Sequence, residues 1–419
     1  MRSTHRSSRH YRGRSRQRGG ALALVLIVIG ALVAGCIAWG AFALVHTPPA
    51  PKLAMSLSSD LTVPGKPLAL TAPSGVEEAV AIDGVGLMAS TGGERPTPIA
   101  SLTKMMSALV ILHDHPLTPL TSGPAITVTQ ADVSTYQQER RAGDSVVAVS
   151  AGEQLSELQA LEAALIPSGD NVVQLLATWD AGSVPAFTAK MNALAHSLGL
   201  SHTHYAGPSG VDPATVSTAQ DQLRLAEVAM RNAVFAKIVS MPQVTLPVAG
   251  VQYNVDSDLG TDGIDGIKTG WIPAGGASFV FSATHKFDGQ KVRVLGAVVG
   301  EQGRTPLPTA LAVAQQIVLA SEKTLQVFRL DAGTKVATVS APYAKTVQVV
   351  STASMSVLAW SGARVSVNLR DSARLTGNLN AGSVVGTLAI QLGEAHAATS
   401  AHTTSQLPSP SLTWRLEHP

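Results

Sequence analysis

The sequence predicts a mixed α/β body, carried on an N-terminal membrane helix and followed by an all-β module. Three observations carry that reading. Residues 21–45 run without a charge. Residues 77–321 alternate strand-hairpin signals with apolar segments of helical length. From Leu325 onward, short alternating segments are separated by Gly, Asn and Asp. A chain of 419 residues is long enough for two or three domains, and a hydrophobic content of 45% excludes disorder of the whole.

The first element is a basic tail, residues 1–20, expected in the cytoplasm. Arg2, Arg6, Arg9, Arg12, Arg14, Arg16 and Arg18 lie there with no acidic residue among them. They account for the formal charge of +2, because the rest of the chain holds 23 basic against 28 acidic groups. A mildly acidic body argues against nucleic acid as partner, since binding many phosphates needs a basic face. The uncharged run at 21–45 spans roughly 37 Å as a helix, enough to cross a bilayer core with some tilt. Arginines before it predict a single-pass anchor with the body outside the cytoplasm. Two alternatives stay open. Val33-Ala-Gly-Cys36 looks like a lipobox, which would make Cys36 a lipidated N-terminus, and Ala41-Phe-Ala43 could be a cleavage site that releases a secreted body. Cys36 is the one cysteine, so intramolecular disulfides and cysteine metal clusters are excluded.

Residues 46–68 contain Pro48, Pro49, Pro51, Pro64 and Pro67 and read as an extended linker. The main body is expected over 69–322. Glu77–Ser90 reads as a hairpin turning at Asp83-Gly84, and Ile99–Leu112 as a helix apolar on nearly every side. Further helices are expected from Ser156 to Ile166, from about Asn171, with Ser168 or Asp170 as cap, and at Ala186–Leu198, Gln220–Ser240 and Val313–Ser321. Strands at Ser278–His285 and Lys291–Val299 flank a turn at Asp288-Gly289. Residues 323–396 read as the β-rich domain, and 397–419, rich in Ser, Thr and Pro, as a loosely ordered tail.

Three segments could carry chemistry. Ser101-Leu-Thr-Lys104 puts a hydroxyl and an amine on one helical face, and Lys104 is the one lysine with a serine three positions earlier. A buried lysine can lose its charge and take the proton of a weakly acidic hydroxyl. Pro167-Ser168-Gly-Asp170-Asn171 lies in a helix break, and Lys268-Thr269-Gly270-Trp271 precedes a hairpin. Alone, the first is a weak signal and the other two read as a turn and a loop.

Taken in order, S-x-x-K, then S-x-(N or D), then K-T-G form the signature set of the penicillin-binding and serine β-lactamase superfamily. Within it the chain resembles the low-molecular-mass penicillin-binding proteins, the D-alanyl-D-alanine carboxypeptidases. Ile99–Met106 is similar to their nucleophile segment. Phe187–Ala195 with Leu198-Gly-Leu200, Pro208-Ser-Gly-Val211 and Ser217–Asp221 are similar to their run between the second and third motifs. The resemblance covers about Glu77 to Gly303. It implies a transpeptidase-like body, with an antiparallel sheet flanked by helices plus an all-helical lobe, followed by a C-terminal all-β sandwich-like domain. It further implies a membrane-tethered enzyme of the bacterial envelope that removes the terminal D-alanine of peptidoglycan stem peptides and is acylated by β-lactams. Ser101 would be the nucleophile, Lys104 its base, and Ser168 with Lys268 the proton relay. Asp170, Thr269, Gly270 and Arg293 would bind substrate, and the backbone N–H groups of Ser101 and Trp271 would form the oxyanion hole.

Two departures qualify the resemblance. The family usually has Asn at the position of Asp170, and an ionised Asp can accept but not donate. Paired with Lys104 it would hold that lysine charged, opposing its use as a base, unless Asn171 takes over the amide's place. Gly207-Pro208 replaces the usual Asn-Pro. These departures motivate the alternative of a non-catalytic or weakly active peptide-binding protein. A β-lactamase is a third reading, but no base for rapid deacylation can be located. No metal or cofactor is expected, because His113-x-His115 and His202-x-His204 lack supporting carboxylates at motif spacing.

Overall fold

A computed structural model describes residues 16–418 except 94, 372–374 and 376. The basic tail through Arg14 lies outside the described residues. Helix α1, Arg16–Val45, contains the apolar span Gly20–Val45. Two short strands follow, β1 (Lys52–Met55) and β2 (Asp60–Thr62).

The body is built on a five-stranded antiparallel sheet. Its strands are β3 (Glu77–Ile82), β4 (Gly86–Thr91), β5 (Ile264–Ile272), β6 (Gly276–Phe287) and β7 (Gln290–Glu301), in the spatial order β5-β6-β7-β3-β4. The β6–β7 hairpin turns at Asp288 and Gly289, both at positive φ (48° and 76°), as the Asp-Gly pair predicts for a tight two-residue turn. Side chains alternate across the sheet. Ala79, Ala81, Val280, Leu295, Ala297 and Val299 enter one core. Val80, Ile82, Phe279, Phe281, Val294 and Val298 enter another. Burial on both faces explains why these strands read as nearly unbroken apolar runs rather than polar-apolar alternation.

The first core is shared with the helical lobe: α2 (Thr103–Asp114), α3 (Gln130–Ala142), α4 (Glu157–Leu165), α5 (Asp170–Ala181), α6 (Val184–Ser197), α7 (Ala219–Met230) and α8 (Ala233–Val239). Every residue of α2 from Thr103 to Leu112 is buried, as its all-round apolar pattern predicts. Ser156 and Gln159 form a capping box on α4, and Thr129 and Asp132 do so on α3. The helix expected over Gln220–Ser240 is two helices, because the Asn232 side chain accepts the N–H groups of Val234 and Phe235 and starts a new one. On the opposite sheet face lies α9 (Pro306–Thr324), burying Ala310, Leu311, Ala314, Ile317 and Val318.

The remaining strands are β8 (Leu325–Leu330), β9 (Lys335–Ala341), β10 (Ala344–Ser351), β11 (Met355–Trp360), β12 (Arg364–Asp371), β13 (Val384–Leu392) and β14 (Ala395–Thr403), with a short helix α10 (Leu412–Glu417) at the end. Strands β8 and β11 pair with each other, and a seven-stranded sheet runs β1-β9-β10-β14-β13-β12-β2. Here the structure differs from two sequence-based expectations. The Pro-rich segment is not an extended spacer: Lys52–Met55 and Asp60–Thr62 are the two edge strands of this sheet. Nor are residues 397–403 part of a loose tail, since they belong to β14, the central strand, paired with β13 from His402 to Ala395. Small Ala, Ser and Thr side chains gave β14 no hydrophobic signal; backbone pairing on both sides holds it.

Body and β-rich region share the second core. Gly393 in the β13–β14 turn abuts Val85, where a Cβ would stand 1.7 Å from the carbonyl oxygen. Arg231 of the body pairs with Glu394 at 2.8 Å. At the other end α10 meets α1: Trp39 Nε1 donates to the Leu416 carbonyl, and Arg415 donates to those of Leu44 and His46. Arg415 thus satisfies carbonyls that the end of α1 leaves free.

Candidate active site

The cleft between the helical lobe and the edge strand β5 gathers the three motifs. Ser101 sits in a single 3-10 turn, Ala100–Leu102, that leads into α2. Ala100 is held at φ 50°, with its carbonyl accepting Thr103 Oγ1 at 2.7 Å. The turn is packed so closely that a Cβ at Gly210 would lie 1.9 Å from the Ala100 oxygen. The i, i+3 spacing brings Lys104 Nζ to 2.6 Å from Ser101 Oγ. Lys104 is fully buried, whereas Ser101 remains partly open to solvent. The same Nζ donates to the Ser209 carbonyl at 3.3 Å and lies 2.6 Å from Asp170 Oδ1, an ion pair inside the protein.

Pro167-Ser168-Gly169 breaks the chain between α4 and α5. Ser168 takes φ 66°, and Gly169 is required because a Cβ there would stand 2.9 Å from the Ala163 oxygen. Neither Ser168 nor Asp170 caps α5; the cap position is Gly169, with no side-chain cap. Ser168 Oγ is buried with no hydrogen-bond partner among the described residues. Asn171 cannot stand in for an amide at position 170. Its Nδ2 and Oδ1 are both spent on the backbone of Val147, each at 2.9 Å.

Lys268 and Thr269 on β5 are both buried. Lys268 Nζ donates to the Thr269 carbonyl at 2.9 Å. Burial, and then the like charge of Lys104, push the Lys268 ammonium down to about 7, against the pull of Asp170 and Asp256. Gly270 allows β5 to lie on the nucleophile turn: a Cβ would meet the Ile99 oxygen at 2.9 Å and the Ser101 nitrogen at 3.0 Å. Trp271 follows with its ring exposed. Around this centre burial also raises Glu139, to about 7, helped by the negative charges of Asp170 and Asp144; its carboxylate accepts Gln174 Nε2.

Arg293 does not join the others. It pairs with Asp83 at 3.3 Å and stands opposite Thr284, four positions along β7 from the level of Lys268, which is marked by Val280 and Ala297. Sequence reasoning took the second hairpin strand as a whole, without register. Arg304, three residues past the end of β7, lies on an exposed loop. It leaves the sheet at the end where Trp271, Ala277 and Glu301 align across three strands. The His113-x-His115 pair serves local contacts, His115 with Asp180 at 3.0 Å and against Trp179, His113 with Asp114 at 2.7 Å.

A hydroxyl held by a buried amine, a second buried hydroxyl, a second buried amine of lowered proton affinity and a strand edge are the groups that acyl transfer needs. Comparison with known proteins agrees. A family model described as D-alanyl-D-alanine carboxypeptidase matches residues 77–303, more than half of the chain. D-alanyl-D-alanine carboxypeptidase DacB2 of Mycobacterium tuberculosis is 32% identical over 215 residues, covering 50% of this chain and 69% of the relative. A D-alanyl-D-alanine endopeptidase of Pseudomonas aeruginosa is 34% identical over 158 residues, 38% of this chain and 48% of the relative. The crystal structure of the D-alanyl-D-alanine carboxypeptidase DacD from Francisella tularensis superposes with a TM-score of 0.60 over 85% of this chain and 98% of its own, at 21% identity, which speaks for the fold. The chain thus spans about two thirds of one curated relative and about half of the other.

Proposed function

Since the chain belongs to the D-alanyl-D-alanine carboxypeptidase family, we propose that it is a serine hydrolase that removes the terminal D-alanine of peptidoglycan stem peptides through an acyl-enzyme on Ser101. The observation that carries this is the 2.6 Å contact between Ser101 Oγ and the fully buried Nζ of Lys104, facing Ser168 and Lys268. An extended substrate lies along the edge of β5. Ser101 Oγ attacks the penultimate carbonyl and its proton passes to Lys104. That transfer needs a lone pair on Nζ, which the ion pair with Asp170 withholds. The buried pair supplies it when the shared proton moves to the carboxyl oxygen, leaving two neutral groups in place of two buried charges.

The tetrahedral oxygen is held by the N–H groups of Ser101 and Trp271, each such donor being worth about 3–4 kcal/mol to the transition state. The C–N bond then breaks, and the departing nitrogen takes a proton from Ser168, replaced in turn from Lys268. Thr269 and a cation hold the substrate's terminal carboxylate. Arg304 is taken as that cation, because Arg293 is engaged by Asp83. Water releases the shortened peptide, and β-lactams acylate the same serine. The span in α1 serves as an anchor with the tail inside and the body outside, and the β-rich region rests against the outer end of that anchor.

Release of D-alanine from a synthetic pentapeptide tests the proposal. The wild type releases it and Ser101→Ala does not; equal release by both contradicts it. The Lys104–Asp170 ion pair also favours a second reading, a protein that binds the peptide and turns it over slowly or not at all. Saturable peptide binding without D-alanine release supports that one.

A further inference from the structure

The mechanism above uses Asp170 but leaves a second buried aspartate unexplained. Asp256 lies on the segment leading into β5 and is almost fully buried. Its Oδ1 accepts the Asp258 N–H at 3.0 Å, while its Oδ2 is buried with no partner. The segment is tied down on both sides. Asn254 donates to the carbonyls of Val239 and Met241 at the end of α8, and Val255 N–H donates to the carbonyl of Ile166, two residues before Ser168. Asp256 is therefore fixed behind the turn that carries Ser168, which is also buried and without a partner. Lys268, whose ammonium donates to the Thr269 carbonyl, feels the opposite charge of Asp256. A buried acceptor left empty costs roughly 1–3 kcal/mol, so the orphaned Oδ2 of Asp256 points to a role beyond packing.

We infer that Asp256 is a positioning residue for the leaving-group half of the site: its free Oδ2 keeps a negative charge behind Lys268, so that Lys268 stays supplied with the proton that Ser168 delivers. The charged surroundings are consistent with this. Lys268 faces Lys104 from α2 and Asp170 from α5, and Asp256 faces Lys268 from β5 and Asp258 on its own segment. Asp258 is itself engaged by Gln315 of α9 at 2.9 Å. Burial pushes Asp256 up to about 6 and Lys268 down to about 7, so near neutrality the two are charged together and each supports the other's charge. Removing the carboxylate leaves Lys268 with burial and the repulsion of Lys104, opposed by Asp170 alone, and it gives up its proton at lower pH.

The inference rests on the proposed acyl-transfer reading, and the experiment separates the two. Penicillin labelling of Ser101 is measured first; wild-type protein that takes no label removes the reading itself. Given labelling, kcat/KM for a D-Ala-D-Ala peptide is measured against pH for the wild type and for Asp256→Asn, which keeps the acceptor for the Asp258 N–H. The alkaline limb is expected to move down by about one pH unit. Hydrolysis of the corresponding D-alanyl-D-lactate ester, whose leaving oxygen depends less on a proton donor, is expected to change less than that of the amide. Asp256→Ser is expected to act like Asp256→Asn, and Asp258→Asn to leave the profile in place. Profiles of both Asp256 variants that superimpose on the wild type, or an equal loss for amide and ester at every pH, would overturn the inference.

Discussion

Lys104 meets two demands that conflict, and the conflict lies at one atom. Its Nζ is 2.6 Å from the hydroxyl it is to deprotonate and 2.6 Å from a carboxylate that competes for it. Replacing Asp170 by Asn removes the carboxylate and supplies an amide donor. Asp170→Asn is expected to raise the rate of penicillin acylation about tenfold at neutral pH, because it removes the carboxylate that holds the amine in an ion pair. A stopped-flow acylation rate equal to or below the wild type contradicts that account. The pairing of Ser101 with Lys104 was legible in the sequence, because an i, i+3 spacing on a helix brings the two side chains together. Asn171, Arg293 and Asp256 were not legible. The first is committed to the backbone of Val147, the second faces Asp83 through strand register, and the third is brought in by a loop; all three depend on contacts distant in sequence.

Among the elements, β5 and the first turn of α4 allow separate tests. Gly270 is the point where β5 touches the nucleophile turn. Gly270→Ala is expected to cost about 1–3 kcal/mol of stability through overpacking and to depress acylation out of proportion, by about a hundredfold, as the oxyanion donors move apart. Acylation that falls no more than stability explains would remove β5 from that role. Glu157, at the start of α4, is buried with neither carboxylate oxygen partnered. Burial raises its acid to about 7, opposed by His115. A raised carboxyl favours the folded state at low pH, and that contribution is lost as pH rises from about 4.5 to about 7. Glu157→Gln is therefore expected to be more stable than the wild type by about 2 kcal/mol at pH 8 and to lose that gain at pH 4. A melting temperature that does not rise at pH 8 contradicts this. Hairpins and apolar helices were legible element by element. Helix α3 was missed because only Glu139 on it is buried, although its capping box at Thr129 and Asp132 and Gly143 at its end were available signals.

For the whole molecule, the apolar helix α1 is joined to the β-rich region rather than separated from it by a spacer. Strands β1 and β2 follow α1 directly and close both edges of the seven-stranded sheet, and α10 returns to the end of α1. A chain ending at Gly393 lacks the central strand β14 and is expected to lose protease resistance from β9 onward, whereas one ending at Pro410 keeps it. Equal resistance in the two contradicts the observed strand order. Cys36 lies within the span and is exposed. Cys36→Ser is expected to leave the protein in the membrane fraction after carbonate extraction, while its release would restore lipidation as the anchoring device. The topology of this region was hidden from sequence because edge strands of three or four residues carry no periodicity.

The central claim is that Ser101 is an acylated nucleophile. The most direct measurement is the mass of the intact protein and of its peptides after incubation with benzylpenicillin. The account predicts one adduct carrying the whole penicillin mass, since the opened ring keeps its nitrogen, mapped to the peptide containing Ser101 and absent from Ser101→Ala. An unmodified wild type, or an adduct that persists in Ser101→Ala, would contradict it.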